Sequence, residues 1–268
     1  MPTTESRGSE RRALVTGASS GIGAAFAERL AHDGFDLVVV ARRRERLEAI
    51  ARRLHTSYGT EVDILATDLS RAGQLRLVEE RIAADNALSL LVNNAGAGSF
   101  SLVSELDPDR AEEMIRLHVV ALTRLCRAAL PGMLARGEGA IINVSSTNAF
   151  QARPRIATYC ATKAYIKTFT EALHQEVQGT GIRVQVLCPD ATHTEFFQQA
   201  GVDTSGFPES SWLPPDAVVD ASLKGLRLGE VICLPTLDDP GLLLQLQERQ
   251  RQLLDDAPAD MLARRYVR

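Results

Sequence analysis

The sequence has 268 residues, 45% of them hydrophobic and 24% charged, with a formal net charge of -4; this composition is typical of a soluble globular protein, excludes a disordered chain and leaves no broad basic surface for nucleic acid. The apolar runs fall short of the ~20 residues of a membrane helix, and residues 1–12 lack the hydrophobic region of a signal peptide, so we expect no membrane partner and a cytoplasmic location. Widely spaced cysteines form neither a CxxC pair nor a Cys/His pattern, which argues against a metal site and predicts reduced core thiols: Cys126, Cys160, Cys188 and Cys233.

Short β-rich runs follow a polar tail over residues 1–10, which we expect to be flexible. The stretches between most runs have helical periodicity, and the runs are continuously apolar, as in parallel strands covered by helices on both faces. We therefore predict a single α/β domain over residues 11–268 with a doubly wound parallel sheet. The predicted strands are 13–16, 37–41, 62–66, 89–92, 140–144, 183–187 and 231–234.

A glycine-rich loop follows the first predicted strand and precedes a helix predicted over 24–30. Glycine permits a tight turn and lets backbone N–H groups approach a pyrophosphate, whose charge is favoured at a helix N-terminus. An ordinary strand-to-helix turn is the alternative. We predict a dinucleotide site formed by Gly17, Ser19, Ser20, Gly21, Ile22 and Gly23.

The second predicted strand ends without the carboxylate that would bind a ribose 2′-OH. A guanidinium matches a phosphate in shape and charge, so the arginines here predict binding of the 2′-phosphate of NADP(H). Arg42 is the first candidate for this contact, Arg43 is the second, and Ser19 could assist. The alternative is an exposed basic helix start. After the third strand, Asp68 and Leu69 are predicted to contact the adenine, although Asp68 alone is equally consistent with a helix cap.

Two long helices and a loop complete the pattern. The Asp107-Pro108 pair predicts the start of one helix, which should end near Pro131-Gly132, and a second helix is predicted over 159–177. Residues 190–215 combine aromatic side chains with polar, glycine and proline residues and are predicted to form a substrate lid. From residue 241 an amphipathic helical tail could pack on the body, on another subunit or over the site.

Tyr159 and Lys163 lie four residues apart, on one face of the second long helix. A neighbouring ammonium and an oxidised nicotinamide both favour phenolate, so we expect the pKa of Tyr159 to be lowered and the residue to act as acid and base. Ser146, at the end of the fifth strand, is predicted to hold the substrate carbonyl oxygen. Lys163 is also predicted to bind the nicotinamide ribose.

Together these motifs resemble the short-chain dehydrogenase/reductase family over residues 11 to about 240. The matching segments are Thr16 to Gly23, Asp68, Asn93-Asn94-Ala95-Gly96, Ile142 to Ser146 and Tyr159 to Lys163. The resemblance implies a seven-stranded Rossmann-type sheet, hydride transfer with NADP(H), and homodimers or homotetramers packed through the two long helices. It also implies cofactor contacts from Asn94, Ala95, Gly96, Pro189, Thr192 and Thr194.

The sequence departs from the family pattern at two positions. His118 replaces an asparagine whose backbone carbonyl helps to hold a relay water; it is either a structural substitution or a group with its own proton chemistry. Asp190 follows Pro189 where the family has glycine, and it would either crowd the cofactor or pair with a cationic substrate.

The leading functional hypothesis is reversible reduction of a ketone or aldehyde to an alcohol, with Tyr159 as general acid and base. A C=N reductase, motivated by His118 and Asp190, is a second hypothesis, and a non-catalytic NADP(H)-binding sensor or scaffold is a third. The aromatic candidates for the substrate pocket are equally consistent with core packing. The predicted substrate contacts are Ser146, Asn148, Phe150, Asp190, Phe196 and Trp212.

Overall fold

The computed structural model describes residues 11–255, 262 and 264–267. Seven parallel strands form one sheet in the order β3-β2-β1-β4-β5-β6-β7, which confirms the predicted doubly wound sheet. The direction of winding reverses between β1 and β4, where a crevice opens at the strand ends. The strands are β1 Arg12–Thr16, β2 Asp36–Ala41, β3 Val62–Ala66, β4 Leu88–Asn93, β5 Gly139–Val144, β6 Ile182–Leu187 and β7 Ile232–Cys233.

Helices cover both faces of the sheet, so the strands are buried on both sides and can be continuously apolar. Helices α1, α2 and α8 pack on one face, around the fully buried side chains of Phe26 and Leu47. Helices α3, α5 and α6 pack on the other. The helices are α1 Gly21–His32, α2 Arg44–Tyr58, α3 Ala72–Ala83, α4 Pro108–Ile115, α5 Leu122–Arg136, α6 Ala157–Glu176, α7 Phe196–Gln199, α8 Pro215–Leu228 and α9 Gly241–Asp255.

A π-helical segment, Arg116–Ala121, joins α4 to α5, so one continuous helix runs from Pro108 to Arg136. The predicted end near Pro131-Gly132 is wrong, because Pro131 lies inside the helix. Proline removes one helical hydrogen bond, but Met133 in the same turn is fully buried and its packing holds the chain helical. The helix ends at Gly137, whose φ of 69° is the left-handed conformation that glycine adopts readily.

The same helix is, by length and composition, apolar enough to cross a membrane, with a mean hydropathy of 1.2 over its best window. The apolar character of this helix therefore extends over more residues than the short apolar runs seen in the sequence. It packs against α3, β4 and β5, as a core helix of an α/β sheet does.

The described chain divides into two compact units, one ending at Pro235 and one beginning at Thr236. The second contains α9, which starts at the predicted residue, Gly241, and carries exposed leucines. The expectation of one domain over 11–268 stays a prediction, and the predicted flexible tail over 1–10 lies outside the described residues.

Candidate active site

A cavity of about 700 Å³ lies at the carboxyl ends of the strands. Each wall segment follows a different strand, which is where parallel sheets of this type bind ligands. Most of the predicted site residues meet in its wall: Gly17, Ser19, Ser20, Gly21, Ile22, Arg42, Arg43, Asp68, Leu69, Asn94, Ala95, Gly96, Ser146, Asn148, Tyr159, Lys163, Pro189, Asp190, Thr192, Thr194 and Phe196. The predicted residues outside the wall are Gly23, His118, Phe150 and Trp212.

The glycine loop is held tightly to the strand ends. A Cβ at Gly23 would lie 2.3 Å from the carbonyl oxygen of Gly17, so Gly23 acts through packing. The Asn94 side-chain amide donates to the carbonyl oxygen of Thr16 at 3.0 Å. Ser20 is the N-cap residue of α1, but its hydroxyl accepts from Arg43 and does not cap the first turn. The first N–H groups of α1 are therefore left for an anionic group in the cavity.

The structure places Arg43, rather than Arg42, against the glycine loop. The Arg43 guanidinium donates to the hydroxyls of Ser19 at 3.0 Å and Ser20 at 2.8 Å. Arg42 instead pairs with Glu113 at 2.9 Å, and its side chain is 60% exposed. Both arginines line the cavity, and Arg43, the second candidate, is the one that contacts the glycine loop.

The segment of the cavity wall that follows β3 contains a turn fixed by Asp68 and a buried hydroxyl without a hydrogen-bond partner among the described residues, that of Thr67. Asp68 accepts from the backbone N–H and hydroxyl of Ser70 at 3.0 and 2.6 Å, which fixes the turn before α3. The hydroxyl of Thr67, which the sequence did not single out, is buried in this wall and has no hydrogen-bond partner within the described ranges. This orphaned hydroxyl, the N–H groups of the first turn of α1 and the arginine fit the adenosine and phosphates of a nicotinamide dinucleotide.

Ser146, Tyr159 and Lys163 meet on the cavity floor between β5 and α6. The Ser146 oxygen accepts from the backbone and side-chain N–H groups of Asn148 at 3.2 and 3.3 Å, and the same hydroxyl adjoins the Tyr159 phenol. The Lys163 ammonium donates to the Val144 carbonyl at 3.0 Å and lies 5.5 Å from the centre of the Tyr159 ring.

The protonation states differ from the expectation that the chain lowers the pKa of Tyr159. Burial raises the pKa of that phenol above its ordinary value, and the hydrogen bond from Ser146 opposes this only in part. Burial also lowers the pKa of Lys163 to about 8. The chain by itself therefore presents a neutral phenol, the form that donates a proton. Spacing along a helix cannot reveal this, because the shift comes from burial.

His118 lies in the π-helical segment and is only 1% exposed. Its Nε2 accepts from the backbone N–H of Ala97 at 3.2 Å, which leaves the proton on Nδ1 to be donated to the Thr162 hydroxyl at 2.8 Å. Thr162 in turn donates to the carbonyl of Tyr159 at 2.9 Å. Burial, and then the charge of Lys163, hold the pKa of His118 well below its ordinary value. Both ring nitrogens are thus engaged by the protein, in the neutral form.

The two ends of the predicted lid, which we call the lid from here on, are joined by backbone hydrogen bonds. Thr192 pairs with Leu213, and the backbone N–H of His193 donates to the Leu213 carbonyl at 3.0 Å. Inside the loop, the Phe196 ring lies 5.6 Å from the Tyr159 ring. Gly98 makes room for it, because a Cβ there would lie 2.6 Å from Phe196 Cζ.

Two predicted substrate contacts lie behind the wall. Trp212 packs on Phe197 with ring centres 5.0 Å apart, and so supports the lid from outside. Phe150 lies beneath the Lys167 ammonium at 5.2 Å. Asp190 does reach the wall, and its carboxylate accepts from the Thr147 hydroxyl at 2.8 Å.

Comparison with known proteins gives one consistent result. A sequence profile described as short chain dehydrogenase matches residues 11–204. A short-chain dehydrogenase from Sphingobium yanoikuyae, solved in complex with NADPH, is 38% identical, with a TM-score of 0.91 over 96% of this chain and 100% of that one. A bulky-bulky ketone specific alcohol dehydrogenase from Comamonas testosteroni is 31% identical, with a TM-score of 0.89 over 97% of this chain and 100% of that one.

A curated relative from Homo sapiens, Inactive hydroxysteroid dehydrogenase-like protein 1, is 32% identical over 221 residues, which are 82% of this chain. The chain spans 66% of the length of that protein and 55% of its counterpart from Gallus gallus.

Proposed function

The chain belongs to the short-chain dehydrogenase family, and from that premise we propose that it is an NADP(H)-dependent oxidoreductase that reversibly reduces a ketone or aldehyde to an alcohol. The observation that carries the proposal is the group on the cavity floor, in which Ser146 adjoins the Tyr159 phenol and Lys163 lies buried beside them. Members of this family bind a nicotinamide cofactor, which when bound supplies or accepts the hydride.

Ser146, Tyr159 and Lys163 each have a separate role in the steps other than hydride transfer. The Ser146 hydroxyl, oriented by Asn148, holds the substrate carbonyl oxygen and stabilises the negative charge that develops on it. Tyr159 donates its proton to that oxygen in reduction and takes it back in oxidation. Lys163 would hold the nicotinamide ribose hydroxyls, and its ammonium places a positive charge near the phenol. Phe196 excludes water from one side of this group.

Three features support NADP(H) as the cofactor. Arg43 sits beside the glycine loop where a 2′-phosphate would extend from the adenosine ribose. The strand that precedes it ends in Ala41, without a carboxylate for a 2′-OH. The similar protein from Sphingobium yanoikuyae was solved with NADPH.

We propose a bulky, mainly apolar carbonyl compound as the substrate. The wall around Tyr159 carries Phe196 and, further out, Phe100, Phe197 and Phe207. The similar protein from Comamonas testosteroni is a bulky-bulky ketone specific alcohol dehydrogenase.

The two alternatives are less well supported. The imine hypothesis relied on His118 and Asp190, and His118 lies outside the cavity wall with both nitrogens engaged. The human relative is named inactive, which motivates the sensor hypothesis, but the presence of Ser146, Tyr159 and Lys163 in one cavity wall supports catalysis. The buried, unpaired cysteines fit the proposed cytoplasmic location.

Replacement of the phenol tests the proposal. Tyr159→Phe should lower kcat for NADPH-dependent reduction of bulky ketones by about 10²-fold or more, because no other group delivers the proton. The dissociation constant of NADPH should stay within about threefold, since the ring remains. Tyr58→Phe, which removes an exposed hydroxyl on α2, is the matched control. Turnover by Tyr159→Phe at the wild-type rate would disprove the assignment.

A further inference from the structure

The carboxylate of Glu195 lies in the lid, immediately before Phe196. One of its oxygens accepts from Arg43 Nη1 at 2.7 Å, and the other accepts from Arg46. The side chains of Glu195 and Arg43 are 35% and 36% exposed, so the pair lies at the border of the cavity. Through it, the lid is tied to the start of α2, across 152 residues of sequence.

Arg43 is thereby held from two sides. Its Nη2 donates to the hydroxyls of Ser19 and Ser20 in the glycine loop, and its Nη1 donates to the lid. A carboxylate and a phosphate oxygen are interchangeable partners for a guanidinium. Glu195 therefore occupies the donor of Arg43 that faces away from the loop.

We propose that Glu195 is a specificity-determining residue for the cofactor, because it competes with the adenosine 2′-phosphate for Arg43 and releases the lid when that phosphate binds. The inference rests on the proposed function, which takes NADP(H) as the cofactor. A cofactor that lacks the phosphate leaves the Glu195–Arg43 pair intact. A cofactor that carries it meets a fixed negative charge, which weakens its binding until Glu195 moves away.

The charge state of Glu195 agrees with this competition. Its hydrogen bonds to Arg43 and Arg46 lower the pKa of this carboxyl to about 2. The residue is thus ionised throughout the neutral range.

Movement of Glu195 would be transmitted directly to the catalytic residues. Phe196 is the next residue, and its ring packs on Tyr159. Trp212, the single tryptophan of the chain, packs in the same loop on Phe197. A change in lid packing should therefore alter the fluorescence of Trp212 and report release of the lid without any turnover.

The first experiment compares two fragments of the cofactor by calorimetry at low ionic strength, where exposed ion pairs are least screened. The fragments are 2′,5′-ADP, which carries the 2′-phosphate, and 5′-AMP, which lacks only that phosphate. Glu195→Gln should bind 2′,5′-ADP about three- to fivefold more tightly than wild type, as removal of one partly exposed ion pair allows, and 5′-AMP with unchanged affinity. Glu209→Gln, an exposed lid carboxylate that pairs with His193, is the matched control and should match wild type for both fragments.

A double-mutant cycle then assigns the effect to Arg43. In the Arg43→Ala background the substitution Glu195→Gln should change the affinity for 2′,5′-ADP by less than about twofold. In wild type, 2′,5′-ADP should change Trp212 fluorescence more than saturating 5′-AMP does.

Equal or weaker binding of 2′,5′-ADP to Glu195→Gln would overturn the inference, and so would an undiminished effect without Arg43. Both outcomes leave ketone reduction by wild type untouched. Failure of the proposed function is a separate result: wild type would bind neither NADPH nor 2′,5′-ADP, or would bind both and reduce no carbonyl compound.

Discussion

His118 is a buried, neutral histidine whose protonation would disrupt a chain of hydrogen bonds next to the catalytic helix. His118 connects Ala97, in the cavity loop, to Thr162 and thereby to the backbone of Tyr159. Protonation of His118 would turn the Nε2 acceptor into a donor facing the N–H of Ala97. The position therefore supports the geometry of the catalytic helix only while the ring stays neutral.

This predicts a specific pH dependence of stability. The folded-state pKa of His118 is lowered well below 6.5, so the unfolded chain binds the proton first and the free energy of unfolding falls as pH drops below about 6.5. Between pH 7.5 and 5.5 wild type should lose about 1 kcal/mol more than His118→Asn. Urea unfolding at both pH values measures the difference. His55→Asn, with a side chain 64% exposed on α2, should behave as wild type; equal losses for His118→Asn and wild type would contradict the prediction.

Individual site residues were predictable where they belong to a local pattern. Ser146, Tyr159 and Lys163 follow from spacing, because strand ends and helix faces impose it. Glu195 and Thr67 do not, because their roles depend on contacts with distant segments or on burial. Burial, which raises the pKa of the Tyr159 phenol, is likewise not visible in the spacing.

Among the elements, the strands were predicted within two residues because burial on both faces demands apolar runs. The long helix was predicted too short, since a local proline signal was outweighed by the packing of Met133 against the sheet. Composition predicted an irregular segment over residues 190–215, but which of its aromatic rings face the cavity depends on how the loop folds. Phe196 faces it, whereas Trp212 does not.

Pro131 lies inside the long helix, where we expect it to lower the stability of the protein. Pro131→Ala restores a backbone N–H to an exposed position of α5, so the free energy of unfolding should rise by about 1–2 kcal/mol. Pro108→Ala is the matched control, because Pro108 occupies the first turn of the same helix, where proline costs no hydrogen bond. It should change stability by less than about 0.5 kcal/mol. Thermal unfolding of the three proteins gives the comparison, and a destabilised Pro131→Ala would show that the proline is required.

At the scale of the whole molecule, the proposed homodimer or homotetramer concerns the outer surface of the two long helices. Exposed apolar side chains lie there on α4, the π-helical segment and α6: Ile115, Val120 and Tyr165. Enzymes of this family are commonly oligomeric, and an apolar helix surface is the kind of face that oligomers bury.

A charge on that surface should separate the subunits. We expect Val120→Glu to convert the protein to a 29.1 kDa monomer, because an unpaired carboxylate would be buried at the interface. Light scattering after size-exclusion chromatography gives the mass. Leu77→Glu, at a more exposed apolar position on α3, should keep the wild-type mass. An unchanged mass for Val120→Glu would place the interface elsewhere.

The backbone pairing of Thr192 with Leu213 has an evolutionary consequence. It brings the two ends of the lid together, so the intervening loop can be lengthened, shortened or exchanged without moving β6 or α8. The proton-transfer residues lie directly after β5 and on α6, outside this loop. Descendants of such a protein can therefore diversify the compounds they accept by exchanging the part of this loop beyond Thr194 and Glu195, while the chemistry is inherited intact.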